Sequence, residues 1–190
     1  MIIMPERLQE LMDELKATNA ETFYHSLHVK SYVLAMMKHM NNDGILSYTK
    51  SETEAILKGV LLHDIGKLFV KNSILTKHSR LTDEEREFMT KHTRLGFEAV
   101  ESSLTEEEYN IVKNICLYHH ERIDGKGYVG ITDLPTYVQI VSACDAYDAL
   151  TTDRIYREAL EPEKAISIIQ NGDCGYFDEK IIKYLWKIID

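Results

Sequence analysis

The sequence predicts an all-α fold, a single helical bundle, and three observations carry that prediction. Apolar residues recur at the three-four spacing of amphipathic helices, helix-start signals stand at several points, and no period-two run is bounded by hairpin turns. A chain of 190 residues with 44% hydrophobic side chains is long and apolar enough to bury one core.

Leu8, Leu11, Met12 and Leu15 line one face of a first helix. The stretch around them, MIIMPERLQELM, offers an apolar face that either packs on its own domain or joins a second copy in a homodimer. A second helix is expected from about Thr22 to about Met40, stopping near Asn41-Asn42-Asp43-Gly44. Ser51 with Glu54, Thr82 with Glu85 and Thr105 with Glu108 have capping-box spacing, each ahead of an apolar-periodic segment. Pro162 suits the first turn of a later helix, and Asp178 suits the cap of the last, EKIIKYLWKII. One long irregular stretch, from about Glu121 to Pro135, carries Asp124, Gly125, Gly127 and Gly130. Loops of that length inside compact domains are often functional.

Composition narrows the function classes. A net charge of −9 argues against duplex nucleic acid as a partner, because phosphate binding draws on clustered Lys and Arg. It leaves room for a small anionic ligand beside a bound cation, which can be the largest local charge in an acidic protein. No apolar run approaches the roughly 20 residues of a membrane span, and the N-terminal residues carry acidic charges without a small-residue cleavage site. A cytoplasmic protein without a membrane partner is the expectation. Cys116, Cys144 and Cys174 lack CxxC spacing and read as reduced, mostly core thiols.

The eight histidines are the strongest chemical signal. His119 and His120 are adjacent and followed by Glu121, and His63 is joined to Asp64 at the end of the most apolar run, GVLLHDIGKLF. Glu21 and His25 stand four apart, so on a helix they address one site together. His28, three residues beyond His25, is either a further neighbour or a bystander. Adjacent helical residues point about 100° apart. His63 and Asp64 therefore share a metal cluster only near a helix end, or with Asp64 bridging two ions.

The HD pair at 63 and 64, His92 in MTKHTRLG, HHE at 119 to 121, DGKGY at 124 to 128, DAYDALTTDRIYR at 145 to 157 and GYFDEKII near the end follow one another along the chain. In these motifs and their order the chain resembles the HD-GYP subgroup of the HD-domain metal-dependent phosphohydrolases, from roughly Glu21 to the C-terminus. The resemblance implies an HD-GYP-like domain over 21–190 behind an N-terminal helical extension over 1–20. It implies hydrolysis of cyclic di-GMP, to the linear dinucleotide, to GMP or to both, by a metal-activated hydroxide with two or three iron or manganese ions. The implied metal ligands are His63, Asp64, His92, His119, His120 and Asp145, joined by Glu21 and His25 where a third ion is bound. Asp64 and Lys67 carry the implied catalytic roles, Lys67 matching a lysine beside the scissile phosphate. Tyr128, Arg154 and Arg157 match positions that contact the substrate. These eight ligands exceed what one six-coordinate ion can take, and imidazole and carboxylate donors without cysteine suit iron or manganese better than structural zinc.

Several positions depart from the subgroup. Val129 stands in place of the proline of Gly-Tyr-Pro, which predicts a less rigid loop, and the stretch from Tyr128 to Pro135 is shorter by about three residues. Gln139 stands where many relatives carry arginine, and Lys71 and His78 replace prolines. Two alternatives therefore accompany the cyclic di-GMP reading: an HD-type phosphohydrolase of another nucleotide, and a non-catalytic cyclic dinucleotide receptor. The residues ahead of Glu21 are too few for a sensor domain, so regulation is expected from expression, metal supply or a partner protein.

Overall fold

The structure, a computed structural model, describes residues 4–153 and 158–189. Arg154 and Arg157 therefore lie outside the described residues. Among the described residues the chain forms α1 (Glu6–Thr18), α2 (Ala20–Asn42), α3 (Lys50–Leu62), a 3-10 turn (Ile65–Phe69), α4 (Asn72–Leu75), α5 (Asp83–Val100), α6 (Glu106–Tyr118), α7 (Thr136–Thr151), α8 (Pro162–Gln170) and α9 (Glu179–Trp186). A second short 3-10 turn, Glu101–Ser103, separates α5 from α6. No strand occurs among the described residues, in keeping with the all-α prediction.

The helix starts follow local chemistry. Thr82 and Thr105 form complete capping boxes with Glu85 and Glu108. The box expected at Ser51 and Glu54 is instead formed by Thr49 and Glu52. Thr49 has the extended backbone a cap requires, whereas Ser51 is already helical and its hydroxyl donates to Glu107 on α6 at 3.2 Å. Asn19 caps α2, accepting from Thr22 N–H at 3.1 Å, which moves the start of that helix ahead of Thr22. Pro162 opens α8, and Asp178 caps α9 through the Lys180 N–H.

Two apolar clusters form the interior. One gathers α2, α7, α8 and α9 around residues such as Val33, Met36, Val141 and Ile166. The other gathers α1 and α5 with parts of α3 and α6 around Leu8, Leu15, Ile65, Phe97 and Val112. The predicted apolar stripe of α1, Leu8, Leu11, Met12 and Leu15, is buried in this second cluster. That stripe is thus spent within the chain rather than offered to a second copy. Burying each such side chain contributes roughly 1.5–3 kcal/mol before entropy is counted.

Helix α3 runs between the clusters. Every residue from Ala55 to Leu62 is buried, with Val60 in one cluster and Leu61 and Leu62 in the other. A helix that is apolar all round belongs at the centre of a fold. Its one buried cation, Lys58, pairs with Glu108 at the start of α6. The C-terminus of α3 therefore opens at the middle of the molecule, where His63 and Asp64 begin the site.

Candidate metal centre

The problem of two adjacent residues facing one point is solved by ending the helix between them. His63 keeps helical angles as the cap of α3, but Asp64 has φ −104° and ψ 5°, so the chain turns there into the 3-10 segment. Gly66, two residues on, makes that turn fit: a Cβ there would stand 1.9 Å from the His92 carbonyl oxygen and 2.6 Å from the Gly96 nitrogen. The turn thereby packs main chain to main chain against α5, which brings His92. The end of α6 brings His119 and His120, α2 brings His25, and α7 brings Asp145.

Seven of the expected ligands come together in two adjoining groups. Asp64, His92, His119 and His120 offer ligand atoms within 4.8 Å of one another, and so do His25, His63 and Asp145. Asp64 lies between the groups. Its Oδ1 is 3.2 Å from His92 Nε2 and 3.9 Å from His119 Nε2, while its Oδ2 is 3.5 Å from His63 Nε2 and 3.7 Å from His25 Nε2. Asp145 spans them too, with Oδ1 3.0 Å from His25 Nε2 and Oδ2 3.9 Å from His120 Nδ1. Glu21 is not brought into either group: it is exposed and lines the neighbouring cleft.

The imidazoles are oriented by their other nitrogens. The Nδ1–H of His63 donates to the Val60 carbonyl and that of His92 to the Met89 carbonyl, both at 2.7 Å. His119 Nδ1–H is shared between the Ile115 and Cys116 carbonyls at 3.0 and 3.1 Å. Each bond fixes a tautomer and leaves an Nε2 lone pair for the centre. Burial pushes His63, His119 and His120 below the usual imidazole pKa, holding them neutral, as metal ligation requires. His25 behaves oppositely: burial opposes its cation, but hydrogen bonds to Asp145 and Asp148 raise it to about 9. Asp64 and Asp145 are held well below the usual carboxylate range despite burial, Asp64 by Lys67 and His63, Asp145 chiefly by His25.

The donor set fits a metal. His63 Nε2 and Asp64 Oδ1 are buried polar atoms without a hydrogen-bond partner, a costly arrangement unless a cation satisfies them. Both point into the groups just described. Mixed nitrogen and oxygen donors without sulfur match a first-row divalent ion.

The centre opens to one side. Lys67 donates to Asp64 Oδ2 at 2.6 Å and lines a cleft of about 260 Å³ together with Glu21, Thr22, Asn72, His92, His120 and Tyr128, among others. The Tyr128 ring lies 4.5 Å from that of His120, inclined by 38°, with the residue 43% exposed. Of the four residues expected at the substrate, Lys67 and Tyr128 are on the cleft wall, and Arg154 and Arg157 lie outside the described residues.

Sequence reasoning missed two carboxylates. Asp148 is fully buried and takes the His25 Nδ1–H at 2.6 Å, with His28 Nδ1 3.3 Å from its other oxygen. The signal was present in DAYD, since aspartates three apart share a helix face. Glu121 is 1% exposed and accepts from the main chain of the following loop, a role no side-chain spacing announces. Gln139 donates to the Leu134 carbonyl at 2.9 Å, tying the end of that loop to α7.

Comparison with known proteins agrees with this architecture. The HD domain family matches residues 45–181. A cyclic di-GMP phosphodiesterase of Vibrio cholerae is 34% identical over 172 residues, covering 86% of this chain and 35% of that protein. A 3'3'-cGAMP-specific phosphodiesterase of the same organism is 28% identical, covering 95% of this chain and 34% of its own length. The chain thus spans about a third of the length of these relatives. Among solved structures, an HDG"Y"P protein from Bdellovibrio bacteriovorus superposes with a TM-score of 0.69 at 22% identity, covering 96% of this chain and 57% of that one. The family match over residues 45–181 agrees with the histidine and aspartate cluster, and the chain belongs to the HD-domain family.

Proposed function

We propose that residues 21–190 form a metal-dependent phosphodiesterase domain that hydrolyses cyclic di-GMP to the linear dinucleotide, GMP or both. The observation that carries this reading is the position of Asp64, whose two oxygens face separate sets of imidazoles as a bridging ligand would. The two ligand groups favour two ions, with iron or manganese best matched to the donors. Glu21, on the wall of the adjoining cleft, is the carboxylate assigned to a third.

Paired divalent ions in such a site supply an activated water and neutralise charge on the phosphate oxygens. The chain's own groups divide the remaining work. His63, His92 and His119 hold their donor atoms inward through their Nδ1 bonds, so no reorientation is needed on loading. Lys67, held at the cleft by Asp64, places its amino group beside the anionic group of the substrate. Tyr128 offers an exposed ring against which a base can stack. A cleft of about 260 Å³ lies below the usual range for an enclosed ligand, roughly 300–1,000 Å³, so a cyclic dinucleotide would enter it in part and lie along its rim.

The test is chromatographic conversion of cyclic di-GMP and of 3'3'-cGAMP, without oxygen, by protein reconstituted with Mn²⁺ or Fe²⁺, beside Asp64→Ala. The expected result is turnover of cyclic di-GMP lost by at least ~10³-fold in the variant, whose fold is retained. Preference for 3'3'-cGAMP moves the assignment to that substrate. A fully loaded wild type inert on both, or a variant as active as wild type, removes the reading. In the same preparations Glu21→Gln lowers the metal count towards two if a third ion is bound.

A further inference from the structure

The loop from Glu121 to Pro135 contains no helix or strand, yet its middle is held by one side chain. Glu121 Oε1 accepts from the Val129 N–H at 2.8 Å, and Oε2 accepts from the N–H groups of Gly130 and Ile131 at 2.7 and 2.8 Å. Gly127 closes over the same residue, where a Cβ would meet the Glu121 Cα and Cδ at 2.5 Å. Tyr128 is set between this close approach and the three donors, with its ring against His120. The next residue, Arg122, fixes the base of the loop. Its guanidinium donates to the carbonyls of His119, Glu121 and Cys174 and stacks on Phe177 at 4.5 Å.

We propose that Glu121 is a positioning residue whose carboxylate clamps three successive amides and so sets Tyr128 at the mouth of the cleft. The clamp links the rim directly to the turn that supplies His119 and His120. Charge-assisted bonds to backbone N–H groups are stronger than neutral ones, and burial strengthens them further. Valine at 129 matters to this clamp, because proline has no N–H and would leave Oε1 without that donor. The looser loop expected from the missing proline is thus offset by a bond that proline cannot make. The effect on catalysis rests on the phosphodiesterase reading; the clamp itself does not.

The experiment uses the Mn²⁺-loaded protein with Glu121→Gln and, separately, Val129→Pro. Three quantities are read: bound metal per chain, amide hydrogen exchange across residues 127–131, and KM and kcat for cyclic di-GMP. Glutamine replaces one acceptor oxygen with a donor, so at least one loop amide loses its partner. Exchange at 129–131 is expected to quicken by about 10- to 100-fold, with KM rising about 10-fold, kcat within about 3-fold and metal content unchanged. Val129→Pro is expected to quicken exchange at Gly130 and Ile131. Unchanged exchange in both variants, or slower exchange in Val129→Pro, overturns the clamp. Faster exchange with KM unmoved overturns the role of Glu121 in placing Tyr128. Should Glu121→Gln fail to load metal, the single-donor variant Val129→Pro decides. A wild type inert on cyclic di-GMP removes the phosphodiesterase reading, and the exchange measurements still decide the clamp.

Discussion

Where helices hold the histidine cluster, a carboxylate holds the loop beside it. His63, His92 and His119 are each anchored to a carbonyl of their own helix, within four residues, so the helix that carries a ligand also aims it. The 127–131 stretch has no such internal ladder. The amides of Val129, Gly130 and Ile131 turn instead to Glu121, eight to ten residues back along the chain. The difference teaches that the ligand-bearing end is rigid by repetition of secondary structure, whereas the middle of the rim loop, between the anchors supplied by Arg122 and Gln139, is held by a single carboxylate. Substitutions in the cluster should therefore be felt as metal loss or unfolding, and substitutions in the rim as altered substrate affinity.

The contrast can be broken most forcefully at Gly66. Gly66→Ala puts a methyl group into the His92 carbonyl, where main chain on both sides prevents easy relief. A loss of about 3 kcal/mol or more in denaturant unfolding is expected, with weaker metal loading. A near-neutral result would show that the cluster tolerates slack and that the helices are not its ruler.

Asp148→Asn sharpens the contrast at the next level. It keeps the size of the group but removes the charge that orients His25. Calorimetric titration of Mn²⁺ should show affinity lowered about 10- to 100-fold with the chain still folded. An unchanged affinity would place His25 outside the metal-binding set.

The smallest of these effects is electrostatic. In the metal-free protein His25 sits above its ordinary pKa, at about 9 against 6.5, so its stabilising contribution is complete below about pH 6.5 and fades as pH rises through 9. His63 and His119 are depressed, so they cost nothing above pH 6.5 and oppose folding as their unfolded forms take up protons below it. Metal-free stability should therefore peak near pH 6.5 and fall by about 2 kcal/mol by about pH 8. Denaturant midpoints across pH would check this, and saturating Mn²⁺ should flatten the alkaline limb, because bound metal displaces the proton. A flat metal-free profile would mean that His25 is not clasped by its two aspartates.

Much of the helical side of the comparison was legible in the sequence. The periodicity of Leu8, Leu11, Met12 and Leu15 marked a buried face, and Thr82 and Thr105 marked helix starts, because both signals are local. Thr49 was overlooked in favour of Ser51 because both are followed three residues on by glutamate, and only the backbone distinguishes them. The HD and HHE motifs and Asp145 foretold which residues converge. Spacing could not foretell that Glu21 would stay at the exposed cleft wall while His25, one turn later, turned inward, since an i, i+4 pair shares a face without sharing its burial. The rim was least legible. Glu121 acts on main-chain amides, which every residue but proline possesses, so nothing in the side-chain pattern from 129 to 131 reveals the contact.

The close approach of Gly66 to α5 also bears on how this centre could change its metal. The distance between the turn bearing Asp64 and the helix bearing His92 is gauged by backbone against backbone, with no side chain between as a spacer. Exchanging larger residues for smaller ones nearby cannot widen or narrow that gap by degrees. Preference among ions of different size must then be tuned through the donors themselves and the partners that aim them, which makes this wall of the centre a fixed jaw with adjustable contacts.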